Sequence, residues 1–312
     1  MASVNFDPTG PRQEIPPASV YGDKGPIGLR IATGGAGQTG LLRALAEAFI
    51  ADFLKGRPTT IPFRIAWLAT DTSISFNALA TGAADVSITY HPCSESIALA
   101  QGIATRRVYA WRDCFMLVGP RSNPADLPTD QKLGVRELFA LLFQAAVASA
   151  GQGDGKEVRF LSRYDKSANN IRESTIWASI GCTLWAEPVS GWYHRYVAFP
   201  FQALRAASKL GEYTLVDRGT WCAIEAEVRT EMKVFKEAVV ENENDELLNP
   251  AHALLGARAR DDNLGVEFLE WIAKEEGGQS VIKRFEVNGV VLHSPAPKHE
   301  KAEKLVKVRG KL

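Results

Sequence analysis

Ile31-Ala32-Thr33-Gly34-Gly35-Ala36-Gly37-Gln38-Thr39-Gly40-Leu41-Leu42 is the stretch that decides how this chain is read. An apolar segment runs into a glycine-rich turn and then into Leu41, Leu42, Leu45, Phe49 and Phe53, which recur at helical spacing. Strand, turn and helix in that order make an anion cradle. Glycines let the backbone come close to a ligand, and the first turn of the helix presents N–H groups with no internal partner at the positive end of its dipole. Thr33, Gly34, Gly35 and Thr39 are therefore candidate donors to an anion. The turn lacks the Gly-Lys-Ser/Thr ending of a Walker loop, and no acidic ribose partner is evident, so a nucleotide is not the expected ligand. A tight connection that binds nothing is the plain alternative.

Working outward, Pro62–Leu68 reads as a second strand, Asp71–Thr81 as a helix stopped by Gly82, and Asp85–Tyr90 as a third strand. This alternation predicts an α/β fold with parallel strands and ligand chemistry at their carboxyl ends. The third strand turns at His91-Pro92 into a helix over Ser96–Gln101, which brings Tyr90 and His91 to the same sheet edge as the glycine turn. His91 fits a packed side chain and a ligand contact equally well. Arg107–Pro120 is a long apolar strand interrupted by Arg112-Asp113. Such a pair is either buried and matched or marks a crossing between domains.

Prolines at Pro124 and Pro128 mark a boundary, and an alanine-rich helix over Leu138–Ala150 opens a second domain, followed by the loop Gly151–Gly155. A strand over Glu157–Leu161 then leads into Ser162-Arg163-Tyr164-Asp165-Lys166-Ser167-Ala168-Asn169-Asn170 and a helix over Ile171–Trp177. The first architecture recurs here: strand, polar loop, helix start. Ser167 or Asn169 can cap, and Arg163 supplies a fixed positive charge. Beyond lie the polar-aromatic Gly191–Tyr196, a helix over Phe201–Leu210, a strand over Tyr213–Asp217, a solvated acidic run from Glu237 to Asp245, a turn and strand over Asn249–Ala257, and a helix over Asn263–Glu276. The expected division is a flexible segment over 1–26, a first lobe over 27–120 and 221–297, a second lobe over 121–220, and a charged tail over 298–312.

With 312 residues the chain can bury a large core in two domains. Lysine plus arginine equals aspartate plus glutamate at 36 each, which gives no support for nucleic acid or a membrane surface as a partner. No run approaches the ~20 apolar residues that cross a bilayer, so no membrane insertion is expected. The proline-containing amino terminus lacks the layout of a secretory signal, and a cytoplasmic monomer is expected. Cys93, Cys114, Cys182 and Cys222 are scattered among apolar neighbours and read as buried free thiols. No Ser-His-Asp order, HExxH or GxSxG occurs, and no two of the five histidines stand at metal-ligand spacing, so neither metal nor cofactor is called for.

The order of elements from about Ile27 to Pro297 resembles the two-lobed type II periplasmic-binding-protein fold, and most closely the tungstate-binding subunit family of bacterial ABC importers. Thr39-Gly40-Leu41-Leu42, Asp85-Val86, His91-Pro92, Phe160-Leu161-Ser162-Arg163, Asp165, Ser167, Trp192-Tyr193, Asp217-Arg218-Gly219-Thr220 and Gly278-Gln279-Ser280 carry the likeness. The resemblance extends to intracellular homologues in filamentous fungi. It implies lobes that close by a hinge on an oxyanion, held by a Thr/Ser-rich turn of one lobe and by an arginine with hydroxyls of the other. Arg163 and Ser167 match that second pattern, whereas Asn169 stands where the family has threonine. Ala32-Thr33-Gly34-Gly35-Ala36 replaces the family's Thr/Ser run, and Val197–Phe201 replaces a Gly-Gln-Gly-Met-Gly stretch. With Tyr90, His91, Trp192 and His194 nearby, these departures favour a larger, partly organic anion. The missing export signal leaves open the ABC permease that the resemblance implies. The expected function is thus a small-anion binding protein. The alternatives are a biosynthetic or hydrolytic enzyme on the same scaffold, built on His91 with Cys93, Tyr90 or Glu95, and an intracellular ligand-sensing module.

Overall fold

A computed structural model describes residues 9–57, 59–151, 157–186 and 190–298, with the backbone of 303–304. The chain divides into one unit made of Met1–Arg112 with Pro250–Leu312, and a second made of Asp113–Asn249. Chain order in the first is β1 (Ser19–Tyr21), β2 (Ile27–Thr33), α1 (Gly35–Gln38), α2 (Leu41–Leu54), β3 (Arg64–Ala69), α3 (Thr72–Ala80), β4 (Val86–Thr89) and α4 (Pro92–Ala100). The strand β5 (Ala104–Pro120) begins in this unit and ends in the other. The second unit continues with α5 (Val135–Ser149), β6 (Phe160–Ser162), α6 (Ala168–Ser179), β7 (Tyr193–Arg195), α7 (Pro200–Leu210), β8 (Tyr213–Asp217), α8 (Arg218–Ala223), α9 (Ala226–Glu231) and β9 (Met232–Glu237). Strand β10 (Leu248–Gly256) returns to the first unit, followed by α10 (Asp262–Ala273), α11 (Gly278–Arg284), the ribbon β11 (Glu286–Val287) and β12 (Val290–Val291), β13 (Ser294–Pro295) and β14 (Glu303–Lys304).

In the first unit β2 runs parallel to both β3 and β4, with Ile31 level with Trp67 and Val86. Antiparallel β1 edges β3, and β10 pairs antiparallel with β4. Side chains alternate across this sheet. Leu29 and Ile31 of β2 join Val86 and Ile88 of β4 against Leu41, Leu42, Leu45 and Phe49 of α2, while Ala32 and Leu68 meet Phe76 and Leu79 of α3 on the other face. Helices on both faces explain why these strands read as near-continuous apolar runs. Arg30, on the α3 face, grips Asp85: Nε reaches Oδ2 at 3.0 Å and Nη2 reaches Oδ1 at 2.6 Å, while the Arg260 N–H donates to the same Oδ1 at 2.7 Å. A planar guanidinium matched to a fully hydrogen-bonded carboxylate is what makes such a buried pair tolerable.

In the second unit β6 runs parallel to β7 and β8, and β5 pairs antiparallel with β8 and β9. Phe115 and Leu117 of β5 face Phe139, Phe160, Trp177 and Tyr213, whereas Met116 and Val118 face Leu161, Val216 and Leu204 of α7. The carboxyl ends of β6, β7 and β8 therefore share one edge, carrying Ser162, Arg195 and Asp217.

Several expectations change. Residues 18–21 of the proline-rich start are not a loose segment: the Ala18 N–H donates to the Trp67 carbonyl at 2.8 Å and β1 is a sheet strand. Gly10 is also tied down, its carbonyl accepting from the Arg258 guanidinium. The long strand does cross between units at Arg112-Asp113, but the return comes at Asn249–Pro250, so 113–120 and 221–249 belong to the second unit. Cys114, Cys182 and Cys222 are buried free thiols, whereas Cys93 is exposed at the start of α4. Residues 152–155 of the Gly151 loop and most of the charged tail lie outside the described residues.

Candidate functional site

In the first unit the carboxyl ends of β2, β3 and β4 deliver three hydroxyl-rich turns to one edge. Thr33 is fully buried at the end of β2, and its Oγ1 has no hydrogen-bond partner among the described residues. Its carbonyl accepts from the Trp67 indole N–H at 2.8 Å. That indole lies across the glycine turn, where a Cβ on Gly37 would stand 2.0 Å from Trp67 Cε2. Gly34 is also constrained, since a Cβ there would come within 2.8 Å of the Thr70 carbonyl. Gly35 meets nothing within 4 Å, so it is open rather than sterically required. Thr39 ends α1, and its hydroxyl turns back to the Ala36 carbonyl at 3.4 Å. Gly40 at φ 88° lets the chain swing into α2.

The turn after β3 was not singled out in the sequence. Asp71 caps α3 by accepting from the Ile74 N–H at 2.7 Å, and Ser75 Oγ donates to the Asp71 carbonyl at 2.8 Å. Thr70 Oγ1 lies 2.8 Å from Ser75 Oγ and so donates to it. A Thr-Asp-Thr-Ser run at a strand end was the available signal, because it is both a helix start and a hydroxyl cluster at a ligand-facing edge.

After β4, His91 is the cap of α4. The Ser94 N–H donates to Nδ1 at 3.1 Å, so that nitrogen is an acceptor and the neutral ring carries its proton on Nε2. Glu95 is fully buried: Oε1 accepts from Thr89 Oγ1 at 2.8 Å and from the His91 N–H at 3.1 Å, and Oε2 lies 2.9 Å from His252 Nδ1. Tyr90 packs edge-on to Trp111, centroids 6.4 Å apart. The His91, Glu95 and Tyr90 set weighed as an enzyme centre is thus engaged in capping and packing.

In the second unit Arg163 follows β6 and is nine-tenths buried. Its Nη2 pairs with Asp165, and its Nε donates to the Ala198 carbonyl at 3.3 Å. Tyr164 and Lys166 flank Asp165 with φ of 48° and 63°. Holding two non-glycine residues in the left-handed region costs about 1 kcal/mol each, and it turns Asp165 back so that Oδ1 also accepts from the Ser167 N–H at 3.0 Å. Ser167 caps α6, accepting from the Asn170 N–H at 3.4 Å. Asn169 is buried in the first turn of α6; Nδ2 donates to the Leu215 carbonyl at 2.7 Å and Oδ1 has no partner among the described residues. Arg163 and Asn169 line one hollow with Thr214 and the α7 residues Pro200, Ala203 and Leu204.

Acids crowd this edge. Burial, then the neighbouring Asp113, raises the carboxyl of Asp217, which also caps α8 through Thr220. Burial pushes Glu173 up to about 8, against the donated Tyr193 hydroxyl at 2.7 Å and the field of Arg163. Trp192 and Tyr193 belong to the second unit's core, and His194 Nδ1 lies 2.9 Å from Glu212, so the aromatic wall expected from Trp192 and His194 is committed elsewhere. Among the described residues no group of three or more His, Cys, Asp or Glu side chains is placed to hold a metal ion, and no helix is long and apolar enough to cross a membrane.

Parallel-stranded lobes with hydroxyl, amide and guanidinium groups at their carboxyl ends define an α/β binding-protein class. The chain matches the PBP superfamily domain over residues 16–276 and belongs to that superfamily; its fold is the two-lobed type II one. A solved structure described as a periplasmic, candidate metal-binding protein is 45% identical, with a TM-score of 0.81, and the match covers 89% of this chain and 99% of that one. A candidate ABC transporter anion-binding protein of Haloferax volcanii is 28% identical over 261 residues, 82% of this chain and 68% of the relative. The tungstate-binding protein TupA of Peptoclostridium acidaminophilum is 25% identical over 279 residues, 87% of this chain and 86% of the relative. These relatives overturn the expected cytoplasmic location: the 45%-identical protein is described as periplasmic and the Haloferax protein by its transporter. None supports the likeness to intracellular fungal proteins.

Proposed function

We propose that this protein is a receptor for a small oxyanion, with one anion-receiving edge on each unit. In the first, Thr33 Oγ1 and the leading N–H groups of the Gly34-Gly35 turn donate, with Thr39 and His91 beside them. In the second, Arg163 carries the charge, with Ser167 and Asn169 adjoining. The observation that carries this reading is the Thr33 hydroxyl, fully buried at a parallel-sheet edge with no partner among the described residues. Leaving a buried hydroxyl unpaired costs free energy, and a ligand oxygen at this edge would recover it. Tungstate and molybdate head the ligands to test, given the name of the Peptoclostridium relative. Delivery to an ABC permease, the setting named for the Haloferax relative, is the role that follows.

A small organic anion is the second reading, and one feature favours it. The Val197–Phe199 segment, bonded to Arg163 through Ala198, exposes 71% of Val197 and 65% of Phe199. An apolar wall beside a guanidinium suits an anion with a hydrocarbon body. The test is a melt of the purified protein against tungstate, molybdate, sulfate, phosphate and a panel of carboxylates, with calorimetry on each hit. Ligand at 100 times Kd stabilises by about 2.7 kcal/mol. Arg163→Ala is expected to weaken the hit at least tenfold with the fold intact, because truncating a buried charge partner costs about 2–5 kcal/mol. An unchanged Kd would remove Arg163 from the site.

A further inference from the structure

In the second unit Asn169 presents a buried acceptor. It is 4% exposed, and the 2.7 Å bond from Nδ2 to the Leu215 carbonyl fixes the amide, since the flipped orientation would set two oxygens against each other. Oδ1 is then left buried without a donor among the described residues. Asn169 lines a hollow of about 10 Å³, the room needed by one water or one ligand oxygen. Of the other polar residues on that hollow, Thr214 already donates its hydroxyl to the Leu161 carbonyl at 2.8 Å, and Arg163 brings positive charge. Pro200, Ala203 and Leu204 of α7 close the rest with apolar surface.

An oxygen entering this hollow comes among residues that carry a guanidinium, on Arg163, and an unpartnered amide oxygen, on Asn169. A bare oxyanion oxygen satisfies the first and sets its lone pairs against those of the second. A hydroxyl borne by an anion satisfies both, because it donates to Oδ1 while the anion's charge answers Arg163. Asp165, paired to Arg163, tempers the positive charge and disfavours a fully deprotonated ligand further. A site that leaves a buried polar group unpaired rejects the analogue lacking the matching group far more strongly than it rejects a change in size.

We propose that Asn169 is a specificity-determining residue whose Oδ1 accepts a hydrogen bond from a hydroxyl of the bound anion, so that the protein prefers oxyanions of the hydrogen-phosphate type to fully deprotonated ones. This rests on the reading of the Arg163 loop as an anion site, and it sets phosphate-type ligands ahead of tungstate.

The test is calorimetry of the full chain at pH 8 with phosphate and arsenate, which keep a hydroxyl, and with sulfate, molybdate and tungstate, which do not. Phosphate and arsenate are expected to bind at least tenfold more tightly than the other three. Asn169→Thr, whose hydroxyl can donate as well as accept, is expected to bring the two groups within threefold, while Arg163→Ala weakens all five alike. Tungstate, molybdate or sulfate binding as tightly as phosphate to the unmodified protein would overturn the selectivity and leave the oxyanion reading standing. A preference that persists undiminished in Asn169→Thr would show that the hollow holds only water. Binding of none of the five would overturn both readings together.

Discussion

Glu173→Gln probes the second unit most directly. Glu173 projects from α6, is 1% exposed, and its carboxyl accepts the Tyr193 hydroxyl at 2.7 Å. Burial lifts it from an ordinary 4.5 to about 8, outweighing the hydrogen bonds and the Arg163 field that favour ionisation. Below pH 4.5 the folded and unfolded chains both hold the proton. Between there and about pH 8 the unfolded chain has released it and the folded chain has not, so stability falls as pH rises; above that interval the loss is complete and constant. At 1.36 kcal/mol for each pH interval the loss sums to about 5 kcal/mol. Glutamine keeps the shape and the acceptor for Tyr193 but cannot ionise. Urea unfolding followed by the emission of Trp177 and Trp192, which share the core of this unit, is expected to show variant and parent within about 1 kcal/mol of each other at pH 5. By pH 9 the variant should be the more stable by several kcal/mol. Parallel stability curves from pH 5 to 9 would refute the reasoning, because they would mean that the folded protein holds an ionised carboxylate at neutral pH.

Gly37→Ala drives a Cβ into the Trp67 ring and is expected to cost about 1–3 kcal/mol, whereas Gly35→Ala, with nothing nearby, should leave Tm unchanged; equal melts for the pair would mean that the indole simply swings away. Thr33→Val removes a buried hydroxyl that has no partner among the described residues, so Tm should hold or rise while oxyanion affinity falls at least fivefold by calorimetry; unchanged affinity would make the hydroxyl a bystander. In the native protein only Cys93 should react rapidly with an aromatic disulfide reagent, since the other three thiols are buried and Cys114 is pushed up to about 12 by burial and Asp113. A second fast thiol would contradict that burial.

What the sequence disclosed was chiefly local. Apolar alternation bounded by turn residues located β8 at Tyr213–Asp217 and α7 to within a residue, because period and punctuation are properties of neighbouring residues. The start of α4 was placed late although Pro92 is a usual first helical residue, because histidine is an uncommon cap. Strand β1 was invisible: three residues among prolines gain their pairing only from β3, more than forty positions away. The glycine turn was located by its composition, yet which glycines are obligatory depends on an indole thirty residues on and on the Thr70 carbonyl, which single out Gly37 and Gly34 and free Gly35. Arg163 and Asp165 two positions apart were open to pairing from the outset, whereas the lone acceptor on Asn169 depends on a carbonyl of β8.

The interruption of the first unit by Asp113–Asn249 has a consequence for biogenesis. Strand β10, the partner of β4, and helices α10 and α11, which complete the core against α2, are synthesised only after the whole second unit has emerged. Since domains fold as units during synthesis, the second unit is complete while the first still lacks a sheet strand. Its two ends are tied to each other: the Phe115 N–H donates to the Leu247 carbonyl at 2.8 Å, and Asn249 Nδ2 donates to Asp113 at 3.4 Å. Once folded, it therefore converts a long, floppy excursion into a short rigid bridge that delivers the two halves of its neighbour side by side. The entropy of closing that excursion is spent before the first unit needs it. A nascent chain halted near residue 250 should accordingly yield a protease-resistant core from its second unit alone.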